Sequence, residues 1–278
     1  MEENKNNETL KKIMTIVVII VLIAILAILC AGYAKKATTK IQNPIVTMEV
    51  EDYGTIKLEL YPEKAPNTVA NFVKLANNGF YNGLKFHRVV KDFMIQGGDS
   101  NGDGSGSAKL KDLNQNEDET EYSIKGEFIA NKYRKNDLNL TEGTIAMARA
   151  DYTAYSPTLA EESYNSAGTQ FFIMTTNNHT NLSGYYAGFG KVIEGMDVVK
   201  KISEVKVKKA DNSEETGNTE ESVPKKDVKI KTVTVDTFGV DYGTPDTMEP
   251  FNYMNWLYSQ YGISYLYRLR TESAVWDN

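Results

Sequence analysis

A mostly β domain with a few helices, set behind a membrane-spanning segment, is the fold class this sequence predicts. Three observations carry it. Short stretches in which apolar and polar residues alternate recur along the chain, separated by turns rich in Gly, Asn and Asp. Two stretches, Pro66 to Asn78 and Gly195 to Ile202, space their apolar residues as helices do. An uncharged run from Ile13 to Ala34 precedes them all and is almost wholly aliphatic as far as Leu29.

Taken in order, residues 1–12 form a polar N-terminal tail. The run 13–34 exceeds the roughly 7–15 apolar residues of a cleaved signal and reaches the roughly 20 that a spanning helix needs. An uncleaved signal-anchor is expected, with a cleaved signal peptide as the alternative. Cys30 follows the bulky Leu29, where a lipoprotein cleavage site needs a small residue. Lys5, Lys11 and Lys12 precede the run and Lys35, Lys36 and Lys40 follow it, so charge bias does not set the orientation. The signal-anchor pattern alone points to a single-pass protein of the cell membrane with an extracytoplasmic domain. Residues 35–44 read as a tether.

Ile45–Val50 and Thr55–Leu60 alternate as strands, with Asp52-Tyr53-Gly54 as the hairpin turn between them. In the helix from Pro66 to Asn78, Val69, Phe72, Val73 and Ala76 share one face, and Gly79 stands at the C-terminal cap. Residues 100–125 and 151–165 look inserted. The Lys/Glu/Ser/Asn-rich stretch 208–226 has no apolar period and is expected to be a mobile loop. Val228 to Val235 alternates again as a last strand. Residues 45–240 thus make one folded domain. The extension 241–278 is too aromatic for a disordered end. A helix beginning at Pro250 would place Met254, Leu257, Tyr258, Tyr261 and Tyr265 on one face, expected to dock on the domain. A partner protein or the membrane surface is the alternative occupant of that face.

Composition excludes several classes. Of 278 residues 41% are hydrophobic and 24% charged, enough for one domain with additions, and the net charge is −6. No basic stripe is interleaved with aromatics, so nucleic acid is not an expected partner. Cys30 is the only cysteine, which rules out an intrachain disulfide. His87 and His179 lack ligand companions at metal spacing, and neither a metal nor a cofactor is expected.

The most informative stretch is Phe86-His87-Arg88-Val89-Val90-Lys91-Asp92-Phe93-Met94-Ile95-Gln96-Gly97-Gly98-Asp99. It sets an arginine, a glutamine and large apolar side chains close together, without a nucleophile beside a base. Such a site holds and polarises a substrate rather than attacking it. Rotation about an X-Pro bond needs that help, because the amide barrier is roughly 18–20 kcal/mol and unaided isomerisation takes tens of seconds or more. The stretch resembles the core motif of the cyclophilins, the peptidyl-prolyl isomerases. Gly143–Ala150, Ser166–Ile173 and Leu182–Val192 resemble three further cyclophilin segments, in the same order.

The resemblance covers about Ile45 to Gly239 and implies a closed antiparallel barrel of about eight strands with a helix over each open end. It implies that Arg88 donates to the prolyl amide and that Gln96 holds Arg88 or meets the substrate backbone. Phe93, Met94, Phe172 and Leu182 would line a proline pocket, with Tyr186 closing it. Gln170 would stand near the residue before proline, and Ala148 and Arg149 would meet the peptide through their main chain. His87, Phe86 and Phe171 are expected to be structural. The partners implied are X-Pro segments of folding proteins, met by a monomer. The expected function is isomerisation that assists exported or surface proteins. The alternative is a non-catalytic module that holds proline segments, or a scaffold working through its tail.

Overall fold

The computed structural model describes residues 14–28, 42–114, 116–210 and 219–262. They belong to two units divided between Gln42 and Asn43. The first unit contains helix α1 (14–28), whose side chains are exposed all round. Among the described residues no helix is long and apolar enough to cross a membrane. The remainder of the run 13–34 lies outside the described residues.

The second unit opens with the hairpin of β1 (Ile45–Val50) and β2 (Gly54–Leu60). Val46, Met48 and Val50 face the core from β1, and Ile56, Leu58 and Leu60 from β2, so each strand buries alternate residues. The turn needs left-handed backbone at Asp52 (φ 64°) and a positive φ at Gly54 (φ 125°). Helix α2 (Pro66–Asn77) starts with Pro66 in its first turn and buries Val69, Phe72, Val73 and Ala76. Ala65, at the capping position just before it, offers no side-chain cap. The buried Glu127 caps it from outside, accepting from Asn67 N (3.1 Å), Thr68 N (2.8 Å) and Thr68 Oγ1 (2.7 Å). A carboxylate there satisfies orphan amides and meets the positive end of the helix dipole.

Strands β3 (Arg88–Val90) and β4 (Met94–Gly97) form the next hairpin. Then come the short pair β5 (Ala108–Lys109) and β6 (Glu121–Tyr122), with helix α3 (Leu110–Asn114) between them. After β7 (Thr144–Met147), the 151–165 region folds into two 3-10 turns and α4 (Ala160–Tyr164). Strands β8 (Phe171–Met174) and β9 (Gly188–Glu194) lead to helix α5 (Met196–Ser203). Strands β10 (Val207–Lys209) and β11 (Glu221–Pro224) pair before β12 (Ile230–Asp236), and α6 (253–262) ends the described chain.

Eight strands make one antiparallel sheet in the order β12-β1-β2-β9-β7-β8-β4-β3. It curls but does not close, which corrects the expected closed barrel. The ends β3 and β12 are not partners in the ladder. The chain just before each touches the other at an isolated bridge, Lys85 to Lys229, with Phe86 N donating to Val228 O (2.9 Å). Gly83 N donates to Ile230 O (2.8 Å) and Ile230 N to Leu84 O (2.7 Å) beside it, so the start of β12 meets the chain before β3 rather than β3 itself.

The stretch 208–226 also departs from expectation. Val207–Lys209 pairs with Glu221–Pro224, so its flanks are a hairpin rather than a loose loop. Residues 211–218 lie outside the described residues. In the extension, Met248 bridges Ser123, and Asn67 and Asp246 exchange hydrogen bonds (2.9 and 2.7 Å). Phe251 packs on Tyr152 and Tyr253 on Tyr155. The docking face differs from the predicted one. Of the described residues of the predicted face only Leu257 is half-buried, while Met254, Tyr258 and Tyr261 are exposed, because the aromatic partners offered by 151–165 meet Phe251 and Tyr253 instead. Tyr265 lies outside the described residues.

Period two along the middle strands divides the apolar residues between two clusters. Val89, Ile95, Ile145, Met147, Phe171 and Ile173 join the main core. Their alternates Val90, Met94, Ala146, Phe172 and Met174 join a smaller cluster with Phe93, Ala148, Leu182 and Tyr186. The second cluster is the floor of the candidate site.

Candidate active site

Cross-strand register builds the site. Arg88 on β3 pairs with Gln96 on β4, Gln96 with Phe172 on β8, and Phe172 with Ala146 on β7. Residues opposite one another in successive antiparallel strands share a face. This row therefore sets a cation, an amide and an aromatic ring side by side on the face away from the main core. Gly98 follows β4 with φ 82°, and a Cβ there would stand 2.5 Å from Thr169 O, so only glycine lets the chain leave β4 this close to Thr169.

A pocket of about 120 Å³ lies over the row, lined by Arg88, Phe93, Met94, Gln96, Ala148, Arg149, Phe172, Leu182 and Tyr186. Nine of the ten residues singled out from the sequence are thus brought together, and Gln170 adjoins them. Phe93 sits on the tight turn after β3, where Asp92 has φ 55°. Its ring packs on His179 at 4.4 Å, a contact not foreseen. Leu182 ends a 3-10 turn, Thr180–Leu182, and the Tyr186 ring meets Phe172 edge-on at 5.4 Å.

Arg88 is gripped from two sides. Its Nη1 donates to Gln96 Oε1 at 3.3 Å and lies 3.9 Å from Met94 Sδ. Its Nε and Nη2 donate to Glu220 Oε2 and Oε1 at 2.8 and 3.0 Å. That two-bond contact holds the Glu220 carboxyl below its ordinary value, against the opposing effect of partial burial. Gln96 Nε2 in turn donates to Gln170 Oε1 at 2.9 Å, and Gln170 Nε2 donates to Gly104 O at 3.1 Å. Gln170 thus braces Gln96 and the 99–107 loop. Ala148 N donates to Gln170 O at 2.9 Å.

Arg149 enters the site through its side chain. Its guanidinium lies over the Tyr186 ring at 4.6 Å and the Tyr164 ring at 5.2 Å, while Nε donates to Tyr185 O at 3.1 Å. With Gln96 and Ala148 it forms the shared wall between the pocket and a more polar neighbouring cavity of about 300 Å³. Tyr152, Ser166, Gln170 and Pro250 line that cavity, so the C-terminal extension contributes to the groove.

Glu220 is the site residue that sequence reasoning missed. It stands in an acidic, apolar-poor stretch with no periodicity that ties it to β3. Only the pairing of β10 with β11 brings it there.

Residues 45–235 match the profile of a family described as cyclophilin type peptidyl-prolyl cis-trans isomerase/CLD. The chain belongs to that family. A peptidyl-prolyl cis-trans isomerase of Acinetobacter baylyi is 39% identical over 199 residues, covering 70% of this chain and 87% of the relative. Peptidyl-prolyl cis-trans isomerase B of Bacillus subtilis is 38% identical over 154 residues, covering 55% and 87%. Among solved structures, a cyclophilin-type isomerase of Cryptosporidium parvum, crystallised in the presence of the dipeptide Ala-Pro, aligns with a TM-score of 0.52 at 25% identity. That alignment covers 69% of this chain and 98% of the other. The activity of this cyclophilin-type chain is peptidyl-prolyl cis-trans isomerisation.

Proposed function

We propose that Arg88 drives the isomerisation by withdrawing the prolyl nitrogen lone pair, with Gln96 as its holder. In the planar amide that lone pair is delocalised into the carbonyl. As the bond twists, it localises on nitrogen and becomes a hydrogen-bond acceptor. A donor aimed at the nitrogen therefore binds the twisted state better than either planar isomer, which is the condition for lowering the barrier. The row Arg88–Gln96–Phe172, with all three side chains lining the pocket, carries this reading. Phe93, Met94, Phe172 and Leu182 grip the proline ring while the preceding carbonyl swings. Tyr186 closes that pocket, and Ala148, Arg149 and Gln170 line the groove beside it. No proton moves, so His87 has no chemical role.

X-Pro segments of unfolded or folding proteins are the substrates in this reading, in keeping with the Ala-Pro dipeptide present with the Cryptosporidium relative. The uncharged run 13–34 supports tethering to the cell membrane by a signal-anchor, with the monomeric domain outside the cytoplasm serving exported or surface proteins.

Arg88→Ala tests the mechanism. Its kcat/KM should fall at least tenfold, about 1.4 kcal/mol of lost transition-state stabilisation. Arg88→Lys should lose most of the activity too, since a point charge on a flexible stem does not reproduce the planar fork. Near-normal turnover in Arg88→Ala, with an unchanged circular dichroism spectrum, would sink the assignment.

A further inference from the structure

We propose that Glu220 is a positioning residue for Arg88, delivered to the site by the β10–β11 hairpin. The inference rests on the role given to Arg88 above. An arginine reaching a solvent-facing pocket from a three-residue edge strand has many rotamers open to it, and its side chain is 34% exposed. Donation to a lone pair demands one orientation of the guanidinium plane. Gln96 supplies a single contact, on Nη1. That contact and the weaker one to Met94 Sδ both sit on Nη1, so the plane stays free to turn about that nitrogen.

Glu220 removes that freedom. Its carboxylate takes Nε and Nη2 together, the side-on fork geometry that fixes a plane as well as a point. Of the five guanidinium N–H groups, Glu220 uses two and Gln96 one. One N–H on Nη2 is left for a substrate, and the second on Nη1 faces only Met94 Sδ at 3.9 Å, a weak acceptor that a substrate can displace. Glu220 does not line the proline pocket, so it holds Arg88 from outside that wall and does not occupy the substrate's place.

The hairpin holds Glu220 in turn. Strand β11 begins at the next residue, packs beside β3, and pairs with β10. The buried Ser222, two residues on, hydrogen-bonds the Glu220 carboxylate. The carboxylate also tempers the charge of Arg88, an effect opposed to orientation. Both groups are about one-third exposed, where solvent screens charge more than it blurs hydrogen-bond direction. Orientation is the larger effect.

The test uses the full-length protein. Glu220→Gln keeps the shape but leaves one acceptor oxygen and no charge. Its kcat, from exchange spectroscopy at saturating X-Pro peptide, should fall three- to tenfold with KM unchanged, because the planar ground state does not use the aimed donor. Glu220→Asp, which restores a two-oxygen carboxylate, should recover part of the loss. In an Arg88→Ala background, Glu220→Gln should change nothing further. Unchanged or raised kcat in Glu220→Gln, a loss confined to KM, or an additive loss on Arg88→Ala each overturns the inference. If Arg88→Ala is inactive while Glu220→Gln matches the unaltered protein, only the role of Glu220 fails. If Arg88→Ala stays active, the reading of Arg88 itself fails.

Discussion

His87 adjoins Arg88 in sequence and points the other way in chemistry. It is 5% exposed, and neither ring nitrogen has a hydrogen-bond partner among the described residues. Burial lowers its pKa, Arg88 and Lys85 add to the lowering, and Asp99 and Asp103 oppose it. The folded protein therefore keeps the imidazole neutral to lower pH than the unfolded chain does. Below the unfolded value, about 6.5, the unfolded chain binds a proton that the folded state refuses. Stability from this group is thus complete above that value and is lost as pH falls below it. The melting temperature should drop between pH 7.5 and 5.5, and the drop should be smaller in His87→Leu. Equal slopes in the two proteins would show that His87 is not the titrating group. The structural role of His87 was legible because amide rotation needs no acid or base. Its lack of partners was not legible, since that depends on which loops close over it.

At the scale of elements, period two was the most readable signal. It separates Val89, Ile95 and Phe171 from Arg88, Gln96 and Phe172 before any strand is paired. Register was not readable from alternation, because nothing local to 88–96 says that Phe172 will stand opposite Gln96. The resemblance supplied the composition of the site, and the pairing of β3, β4 and β8 supplies its geometry. The extension was half legible. Its aromatic content requires burial, but of the face that helical spacing pointed to, Leu257 is half-buried while Met254, Tyr258 and Tyr261 are exposed. The contacts come from the turn before the helix and from its first residue, through Phe251 on Tyr152 and Tyr253 on Tyr155, with Asp246 tied to Asn67. Which residues dock depends on where 151–165 presents its tyrosines, and that is tertiary information. Removing 242–278 from a chain that starts at Asn43 should lower the melting temperature by roughly 2–4 °C for each 1 kcal/mol of docking lost. The aromatic contacts and the two Asn67–Asp246 bonds make a loss of at least about 1 kcal/mol the expectation. An unchanged melting temperature would mean that the extension rests on the domain without stabilising it.

At the scale of the whole molecule, the chain joins an acidic domain to a segment of opposite character. Every residue of α1 is exposed, and most of its side chains are large aliphatics, from Met14 at 61% to Ile28 at 71%. A helix apolar on all sides is stable only where every side is covered by protein or lipid. At 1.5 Å per residue, 14–28 spans roughly 22 Å, short of a hydrocarbon core of about 30 Å. The apolar sequence runs on to Ala34, and at helical rise the stretch 13–34 is long enough to span. Each central Leu, Ile or Val favours insertion by about 0.3–0.6 kcal/mol, so a dozen or more of them outweigh what headgroup charge alone provides. Salt and alkali strip proteins held by charge, but leave those held by a buried apolar helix. The full-length protein should therefore remain with the membrane pellet after both high-salt and carbonate washes, while a chain starting at Asn43 should be soluble and fully active. Full-length protein of unshortened mass in the carbonate supernatant would refute the anchor. A released product starting after the apolar run would instead identify 13–34 as a cleaved signal.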